Sequence, residues 1–217
     1  MRLFIFGSTG DLVKRKILPA LHEFEDLNVY VLGRKKLNNG QYNEEYCKTC
    51  SEKFKLKLNY LQISFEESIC SQLNGLLDKE DVNSFYISMP PSFTIDILNK
   101  IIEIKKNGFK IQVLIEKSFG SNLKEAEILA KMINKKGIME EVYLADHYLF
   151  KKSILHLNLN KTSFTKLRLV SLEKIGLEGR TYYDSVGALR DMVQSHFFNI
   201  LHKLVKFSAE EIKITEF

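Results

Sequence analysis

The 217-residue sequence predicts an α/β protein built on a doubly wound parallel sheet. Short apolar runs alternate with stretches of helical length, which is the rhythm of βαβ units. Some of these runs, such as 112–115, are apolar nearly throughout, as is typical of parallel strands covered by helices on both faces. The first run ends at a glycine turn, where a nucleotide-binding unit usually begins.

The predicted elements follow this alternation in order. Strands are expected near 2–6, 28–33, 57–64, 83–89, 110–116 and 142–145. Helices are expected near 12–25, 41–54, 66–78, 92–107 and 122–136. The later pattern is mixed, with a strand-like stretch at 162–176, a helix near 185–206 and a short strand at 212–215. We therefore predict one domain at 1–150 and a partial second domain at 151–217.

Composition and charge exclude several classes of protein. With 45% hydrophobic residues, the chain can bury a substantial core. The net charge of +5 is spread along the chain without an aromatic-interleaved cluster, which argues against nucleic-acid binding. The longest uncharged apolar runs have strand length, and the N-terminus lacks a signal-peptide pattern. We expect no membrane association and a cytoplasmic location.

The three cysteines are expected to be reduced thiols. Cys47 and Cys50 form a CxxC pair, but a zinc site would need about four ligands. Only Cys70 lies within reach in sequence. We therefore predict no metal site.

The first βα turn predicts a dinucleotide site of the Rossmann type. Its glycines allow close approach of a pyrophosphate, and the helix that follows presents backbone N–H groups and nearby lysines. The turn consists of Gly7, Ser8, Thr9, Gly10, Asp11 and Leu12. After the second strand stands Arg34, where an NAD site usually has an acid, so the sequence favours NADP. An ordinary tight turn and a basic surface turn are the alternatives.

Polar groups follow two later strands. Lys117 comes directly after the fifth strand, at the edge where ligands bind to parallel sheets. After the sixth strand, one short segment combines an acid, an imidazole, a phenol and an ammonium group: Asp146, His147, Tyr148 and Lys151. Such groups can converge on a dianion such as a sugar phosphate. The alternatives are a solvated strand end for Lys117 and a helix start capped by Asp146.

Five segments together resemble the glucose-6-phosphate dehydrogenase family. They are FGSTGDLVKRKILPAL, FYISMPPS, IEKSFG, DHYLFKK and GLEGRTYYDSVGALRDMVQSH, in that order. The resemblance covers the coenzyme domain and the opening of the substrate domain, since family members are about twice as long. It implies a Rossmann-type domain with a truncated α+β substrate-side portion. It also implies oxidation of glucose 6-phosphate with NADP, a step of the pentose phosphate pathway.

The resemblance also implies roles for single residues. The turn from Gly7 to Leu12 would bind the NADP pyrophosphate side, Arg34 the 2′-phosphate, and Lys117 both cofactor and sugar. The resemblance makes His196 the catalytic base and Asp146 its orienting partner. The remaining substrate contacts it implies are His147, Tyr148 and Lys151 for the phosphate, with Glu173 and Asp191 for the sugar hydroxyls.

The chain departs from the family pattern in places. Ser118 replaces a proline that resembles a hinge beside Lys117, and much of the family's large antiparallel sheet is missing. We expect self-association or a partner chain to cover the exposed sheet edge. Two other interpretations stay open: another NADP-dependent sugar oxidoreductase, and a truncated non-catalytic nucleotide-binding or accessory subunit.

Overall fold

The computed structural model divides the chain into two compact units, Met1–Ala145 and Asp146–Phe217. It describes residues 1–21, 23–24, 26–48, 50–55, 57–117, 119–156, 168–170, 187 and 189–205. Each unit is described by itself.

The first unit contains a six-stranded sheet in which every strand pairing is parallel. The strands are β1 (Arg2–Phe6), β2 (Asn28–Gly33), β3 (Leu58–Gln62), β4 (Asn83–Ile87), β5 (Ile111–Glu116) and β6 (Val142–Ala145). Their spatial order is β3-β2-β1-β4-β5-β6. The order reverses between β1 and β4, so the crevice for a ligand opens at the carboxyl ends of these two strands.

Helices connect the strands. A π-helical segment, Val13–Ile17, continues into α1 (Leu18–Leu21). The other helices of this unit are α2 (Asn39–Tyr46), α3 (Glu52–Lys55), α4 (Ile69–Gln72), α5 (Pro91–Lys106) and α6 (Leu123–Lys135). Within the described parts of the chain, no helix is long and apolar enough to cross a lipid bilayer.

Two apolar layers cover the two faces of the sheet, because successive strand residues point to opposite sides. Phe4 and Phe6 face the layer packed by α4, α5 and α6. Ile5 faces the other layer, where residues of α1, α2 and α3 pack against β2 and β3. This double coverage explains why the strands read as continuous apolar runs.

The predicted α/β fold with a doubly wound parallel sheet is confirmed. One predicted helix differs: the helix expected at 66–78 is present only as α4, Ile69–Gln72. After α4 the chain forms successive turns, in which the Leu76 amide donates to the Leu73 carbonyl (2.9 Å). Gly75 adopts a positive φ of 79°, so a right-handed helix does not continue through it to residue 78. Leu73 and Leu77 are still buried, so turns rather than a helix satisfy the apolar pattern.

Two of the three cysteines differ from the expected reduced thiols, whereas Cys70 is free. Cys47 and Cys50 form a disulfide with a Cα–Cα distance of 5.2 Å. The turn after α2 brings them together, because the Cys50 amide donates to the Cys47 carbonyl (3.0 Å). Both side chains are buried in the layer that contains α2.

The described part of the second unit contains α7 (Lys152–Leu155) and a π-helical segment, Leu189–Phe197, which continues as α8 (Phe198–Val205). Its small apolar cluster joins Tyr148 to Ile200 and Leu204 of α8. The helix predicted near 185–206 is thus present from Leu189 onward. The strand-like stretch at 162–176 lies outside the described residues except for 168–170, and the expected strand at 212–215 lies wholly outside them.

Candidate active site

Gly7 shapes the turn between β1 and the first helical segment. Its φ is 79°, in the region that favours glycine. A Cβ atom at this position would lie 2.1 Å from the backbone oxygen of Ser88, in the loop after β4. The turn closes when the Gly10 amide donates to the Gly7 carbonyl (2.9 Å). Glycine is therefore required here both for conformation and for space.

Ser8 lies at the centre of this turn and is fully buried. Its Oγ has no hydrogen-bond partner among the described residues, although a buried hydroxyl normally has one. The Ser8 carbonyl accepts a hydrogen bond from Tyr42 of α2 (2.6 Å). Tyr42 thus supports the turn, a role that the sequence analysis missed. The sequence shows only two tyrosines at helical spacing, Tyr42 and Tyr46, which do not point to Ser8.

The rest of the turn leads into a continuous helical run from residue 11 to residue 21. Thr9, Gly10 and Leu12 are half-buried, whereas Asp11 is exposed and pairs with Arg15 one turn later (2.6 Å). The Lys14 amide donates to the Gly10 carbonyl (3.1 Å). The start of this run therefore lies directly beside the glycine turn, as the sequence predicts.

Positive charge collects at the end of β2. Arg34 is exposed and directly follows Gly33, whose added Cβ would lie 3.2 Å from Ser8 Oγ. The ammonium group of Lys35 donates to the Tyr46 hydroxyl (2.7 Å) and lies over the same ring. Lys14 approaches this ring as well, at 5.6 Å from its centroid. The site thus offers cationic groups next to the turn.

Lys117 emerges at the carboxyl end of β5 and is half-buried. Its backbone amide donates to the Ala145 carbonyl at the end of β6 (2.9 Å). This bond extends the β5–β6 pairing by one step, so the backbone of Lys117 is held at the ligand-binding edge of the sheet. Ser118, which replaces the family's proline, lies outside the described residues.

In the second unit, His196 and Asp146 form a buried pair. Nδ1 of His196 and Oδ1 of Asp146 are 2.6 Å apart. The Tyr148 amide also donates to Oδ1 (3.0 Å), and the Asn199 amide group donates to Oδ2 (3.0 Å). Burial alone would raise the pKa of Asp146, but the hydrogen bonds from His196, Asn199 and Tyr148 outweigh it and lower the pKa. The carboxylate is therefore ionised and acts only as an acceptor.

The other predicted groups of the second unit gather around this pair. The rings of Tyr148 and His196 stack with centroids 4.0 Å apart, and the His147 ring meets His196 edge-on at 5.0 Å. The Lys151 ammonium lies 3.4 Å from the Tyr148 ring centroid. The structure thus brings together Asp146, His147, Tyr148, Lys151 and His196.

Of three further residues considered for this site, Asn199 is the one whose side chain the structure describes. Asn199 was missed by the sequence reading, although it stands three residues after His196 and so shares its helical face. Glu173 lies outside the described residues. The backbone of Asp191 lies in the π-helical segment, but its side chain is outside the described part.

The same cluster is also the candidate for a metal ion. Ligating atoms of Asp146, His147 and His196 lie within 4.8 Å of one another. However, the atoms Nδ1 and Oδ1 are already engaged with each other at 2.6 Å. We therefore describe the cluster as an acid–base pair with a neighbouring imidazole.

The sheet order and the glycine turn define the first unit as an α/β protein of the Rossmann type. Family models refine this class. The model for the NAD binding domain of glucose-6-phosphate dehydrogenase matches residues 4–155, and the model for its C-terminal domain matches residues 148–213. The chain belongs to the glucose-6-phosphate dehydrogenase family.

Curated relatives are similar over nearly the whole chain. The glucose-6-phosphate 1-dehydrogenase of Buchnera aphidicola subsp. Schizaphis graminum is 28% identical over 92% of this chain and 48% of its own length. The enzyme of the same name from Rhizobium meliloti is 30% identical over 91% of this chain and 48% of its own. The chain therefore spans about half the length of these relatives.

Solved structures share the fold. A glucose-6-phosphate dehydrogenase in complex with glucose-6-phosphate matches with a TM-score of 0.71 at 22% identity, over 94% of this chain and 51% of that chain. The glucose-6-phosphate 1-dehydrogenase from Mycobacterium avium matches with a TM-score of 0.72 at 24% identity, over 92% of this chain and 50% of that chain.

Proposed function

We propose that this chain acts as a glucose-6-phosphate 1-dehydrogenase. The reaction oxidises D-glucose 6-phosphate at C1 to 6-phosphoglucono-1,5-lactone, with NADP as the acceptor. The buried pair of His196 and Asp146 is the observation that carries the proposal. A module that only binds a nucleotide has no use for an imidazole oriented by an ionised carboxylate, whereas proton abstraction needs one.

His196 acts as the general base. Because the ionised Asp146 only accepts, it keeps a proton on Nδ1 of His196, and the neutral ring then has its lone pair on Nε2. Nε2 takes the proton of the C1 hydroxyl while the C1–H bond breaks and the C1 carbonyl forms. Asp146 stabilises the imidazolium that results, as the carboxylate does in other His–carboxylate pairs. Imidazole suits this task because its charge changes near neutral pH.

The first unit provides the cofactor site. Ser8 Oγ is buried with no hydrogen-bond partner among the described residues, and this, with the close approach at Gly7, fits a phosphate group brought against the backbone. Ser8, Thr9, Gly10 and the start of the helical run would hold the pyrophosphate, with Asp11 and Leu12 completing the turn. Arg34, with no acid beside it, favours the 2′-phosphate of NADP over the free hydroxyl of NAD. When bound, the nicotinamide ring supplies the hydride acceptor.

The substrate contacts extend the same proposal. His147, Tyr148 and Lys151 provide donors for the sugar phosphate, because dianions bind through charge-assisted hydrogen bonds. Lys117 would contact both cofactor and sugar from the end of β5. For the sugar hydroxyls we propose the two acids Glu173 and Asp191.

The direct test is absorbance at the NADPH band with the purified full chain, NADP and sugar. We expect NADP reduction with glucose 6-phosphate and little with free glucose or inositol. Preference for a sugar without phosphate would favour another NADP-dependent sugar oxidoreductase instead. His196→Asn should abolish NADPH formation while glucose 6-phosphate binding, measured by calorimetry, is largely kept.

Two outcomes would refute the proposal. Unchanged turnover in His196→Asn would remove the histidine from the mechanism. Binding of NADP without turnover by the wild-type chain would instead support a non-catalytic nucleotide-binding or accessory subunit. We also propose that another copy or a partner chain covers the edge strand β6, where Tyr143 and Leu144 are exposed. A sizing column run beside the assay tests this.

The proposal extends to the domain boundaries and the cellular location. We propose that residues 1–150 form the cofactor domain and residues 151–217 part of the substrate domain. A cytoplasmic location fits an enzyme that uses the NADP pool. Fluorescence microscopy of the tagged full chain tests this location.

A further inference from the structure

Tyr86 and Glu116 form a buried hydrogen bond inside the first unit that the proposed reaction does not yet use. The Tyr86 hydroxyl donates to Oε2 of Glu116, and both residues are less than a tenth exposed. Burial, together with the adjacent carboxylate, raises the pKa of Tyr86 far above its usual range. The phenol therefore keeps its proton and remains a donor to this carboxylate.

The strand register explains how the two side chains meet. β4 and β5 are parallel, and Tyr86 lies opposite Leu114. Glu116 is two residues beyond Leu114 and so points to the same face of the sheet. The long phenol side chain of Tyr86 spans this diagonal.

Glu116 is the residue directly before Lys117. Its side chain is held to β4 by Tyr86, while the backbone amide of Lys117 is held to β6 by the Ala145 carbonyl (2.9 Å). The end of β5 is thus fixed from both neighbouring strands. The starting point of the Lys117 side chain is fixed with it.

The residue that directly follows β4, Ser88, contacts the glycine turn. Two residues beyond Tyr86, the Ser88 amide donates to the Phe6 carbonyl (3.1 Å), and the Ser88 carbonyl packs against Gly7. β4 therefore connects the turn at Gly7 to the end of β5. On the β5 side, the connection is the side-chain hydrogen bond between Tyr86 and Glu116.

Stability alone does not account for such a pair. A buried carboxylate is costly to desolvate, and two apolar side chains of similar shape would serve the core as well or better. A need to place a reacting or binding group does account for the pair, because a shift of such a group by about 1 Å can cost about a hundredfold in rate.

We propose that Tyr86 and Glu116 are positioning residues that hold Lys117 at the ligand-binding edge of the sheet. The inference rests on the proposed function, in which Lys117 contacts cofactor and sugar. It assigns the pair no contact with either ligand.

Tyr86→Phe tests the inference by removing a single hydroxyl group. We expect the KM values for glucose 6-phosphate and NADP to rise about tenfold, since Lys117 contacts both. A merely structural role would instead reduce the fraction of folded enzyme, which lowers the apparent kcat at unchanged KM. Tyr30→Phe on β2, where the ring stacks on Phe4, is the matched control and should leave both KM values unchanged.

Glu116 provides the complementary variants. Glu116→Gln keeps an oxygen that accepts from Tyr86, so its KM values should stay within about threefold of wild type. Glu116→Leu removes the acceptor and should reproduce the effect of Tyr86→Phe. KM values within twofold of wild type in both Tyr86→Phe and Glu116→Leu would overturn the inference.

A second measurement does not depend on turnover. Hydrogen exchange at the Lys117 amide should be at least tenfold faster in Tyr86→Phe than in wild type, and unchanged in Tyr30→Phe. Unchanged exchange in Tyr86→Phe overturns the inference even if the enzyme is active. Absence of turnover in the wild-type chain overturns the proposed function, while faster exchange would still support the positioning of Lys117.

Discussion

Nδ1 of His196 lies 2.6 Å from Oδ1 of Asp146, although the two residues are 50 positions apart in the sequence. Asp146 directly follows β6, and His196 lies in the helical segment that continues into α8. Both are buried, and the carboxylate receives further hydrogen bonds from Asn199 and the Tyr148 amide. The same carboxylate thus binds His196, Asn199 and the backbone of Tyr148.

Asp146→Asn should reduce kcat by about 10²- to 10⁴-fold while glucose 6-phosphate still binds. The amide has no charge to stabilise the imidazolium and can donate to Nδ1, which favours the wrong tautomer of His196. Steady-state NADPH formation measures the effect. Asp96→Asn, at an exposed position on α5, is the matched control and should behave as wild type. A kcat within about fivefold of wild type would contradict this role for Asp146.

Asn199→Leu should destabilise the protein in a pH-dependent way. The hydrogen bond from Asn199 helps to lower the pKa of Asp146, so it stabilises the folded state where the carboxylate is ionised. This contribution is present above the unfolded pKa of about 3.9 and is lost as the pH falls through the lower folded pKa. We expect a loss of about 1 kcal/mol in the free energy of unfolding at pH 7 that shrinks below pH ~4.

Urea unfolding at a series of pH values measures this loss. Asn134→Leu, at an exposed position on α6, is the control and should show no such dependence on pH. A loss for Asn199→Leu that is the same at all pH values would indicate simple packing rather than support of the carboxylate.

Arg34→Leu should reduce the proposed preference for NADP. Loss of a charged contact to a phosphate typically weakens binding by about tenfold or more, whereas NAD lacks that phosphate. We expect kcat/KM for NADP to fall at least about tenfold and kcat/KM for NAD to change little. Lys36→Leu removes an exposed charge from the same basic turn and serves as control. Equal losses with both cofactors would show that Arg34 does not read the 2′-phosphate.

Gly7→Ala should destabilise the first unit more than Gly108→Ala. Both glycines have positive φ, 79° and 86°, so an alanine costs about 1–2 kcal/mol at either position for conformation alone. In the part of the chain that the structure describes, nothing lies within 4 Å of an added Cβ at Gly108, whereas at Gly7 it would meet the Ser88 oxygen at 2.1 Å. Urea unfolding of both variants separates the two costs. Equal losses would mean that the turn relaxes away from Ser88.

Local pattern was enough to predict most of the sheet, whereas the roles of the site residues stay predictions. Short apolar runs predict strands because burial on both faces of a sheet leaves few polar positions. β1 to β6 lie within about two residues of the expected ranges. The short helix α4 was predicted too long, because apolar spacing alone does not distinguish a helix from successive turns that bury the same leucines.

Other features depend on distant residues. Tyr42 reaches Ser8 across 34 positions, and Tyr86 reaches Glu116 across 30. Each of these side chains reads in the sequence as an ordinary core tyrosine or a strand-end acid. Their pairing depends on the spatial order of the strands in the sheet and on their register, and local periodicity specifies neither.

The sequence by itself determined the order of the strands along the chain, the glycine turn after β1 and the family to which the chain is similar. These follow from local propensity and from short motifs, which need no partner to be recognised. The tertiary structure alone decided that Asn199 supports the Asp146 carboxylate, that Ser8 is buried without a side-chain partner among the described residues, and that Tyr86 holds Glu116 beside Lys117. The physical reason is that a hydrogen bond acts over about 3 Å, and only the folded chain brings groups that are distant in sequence to that distance.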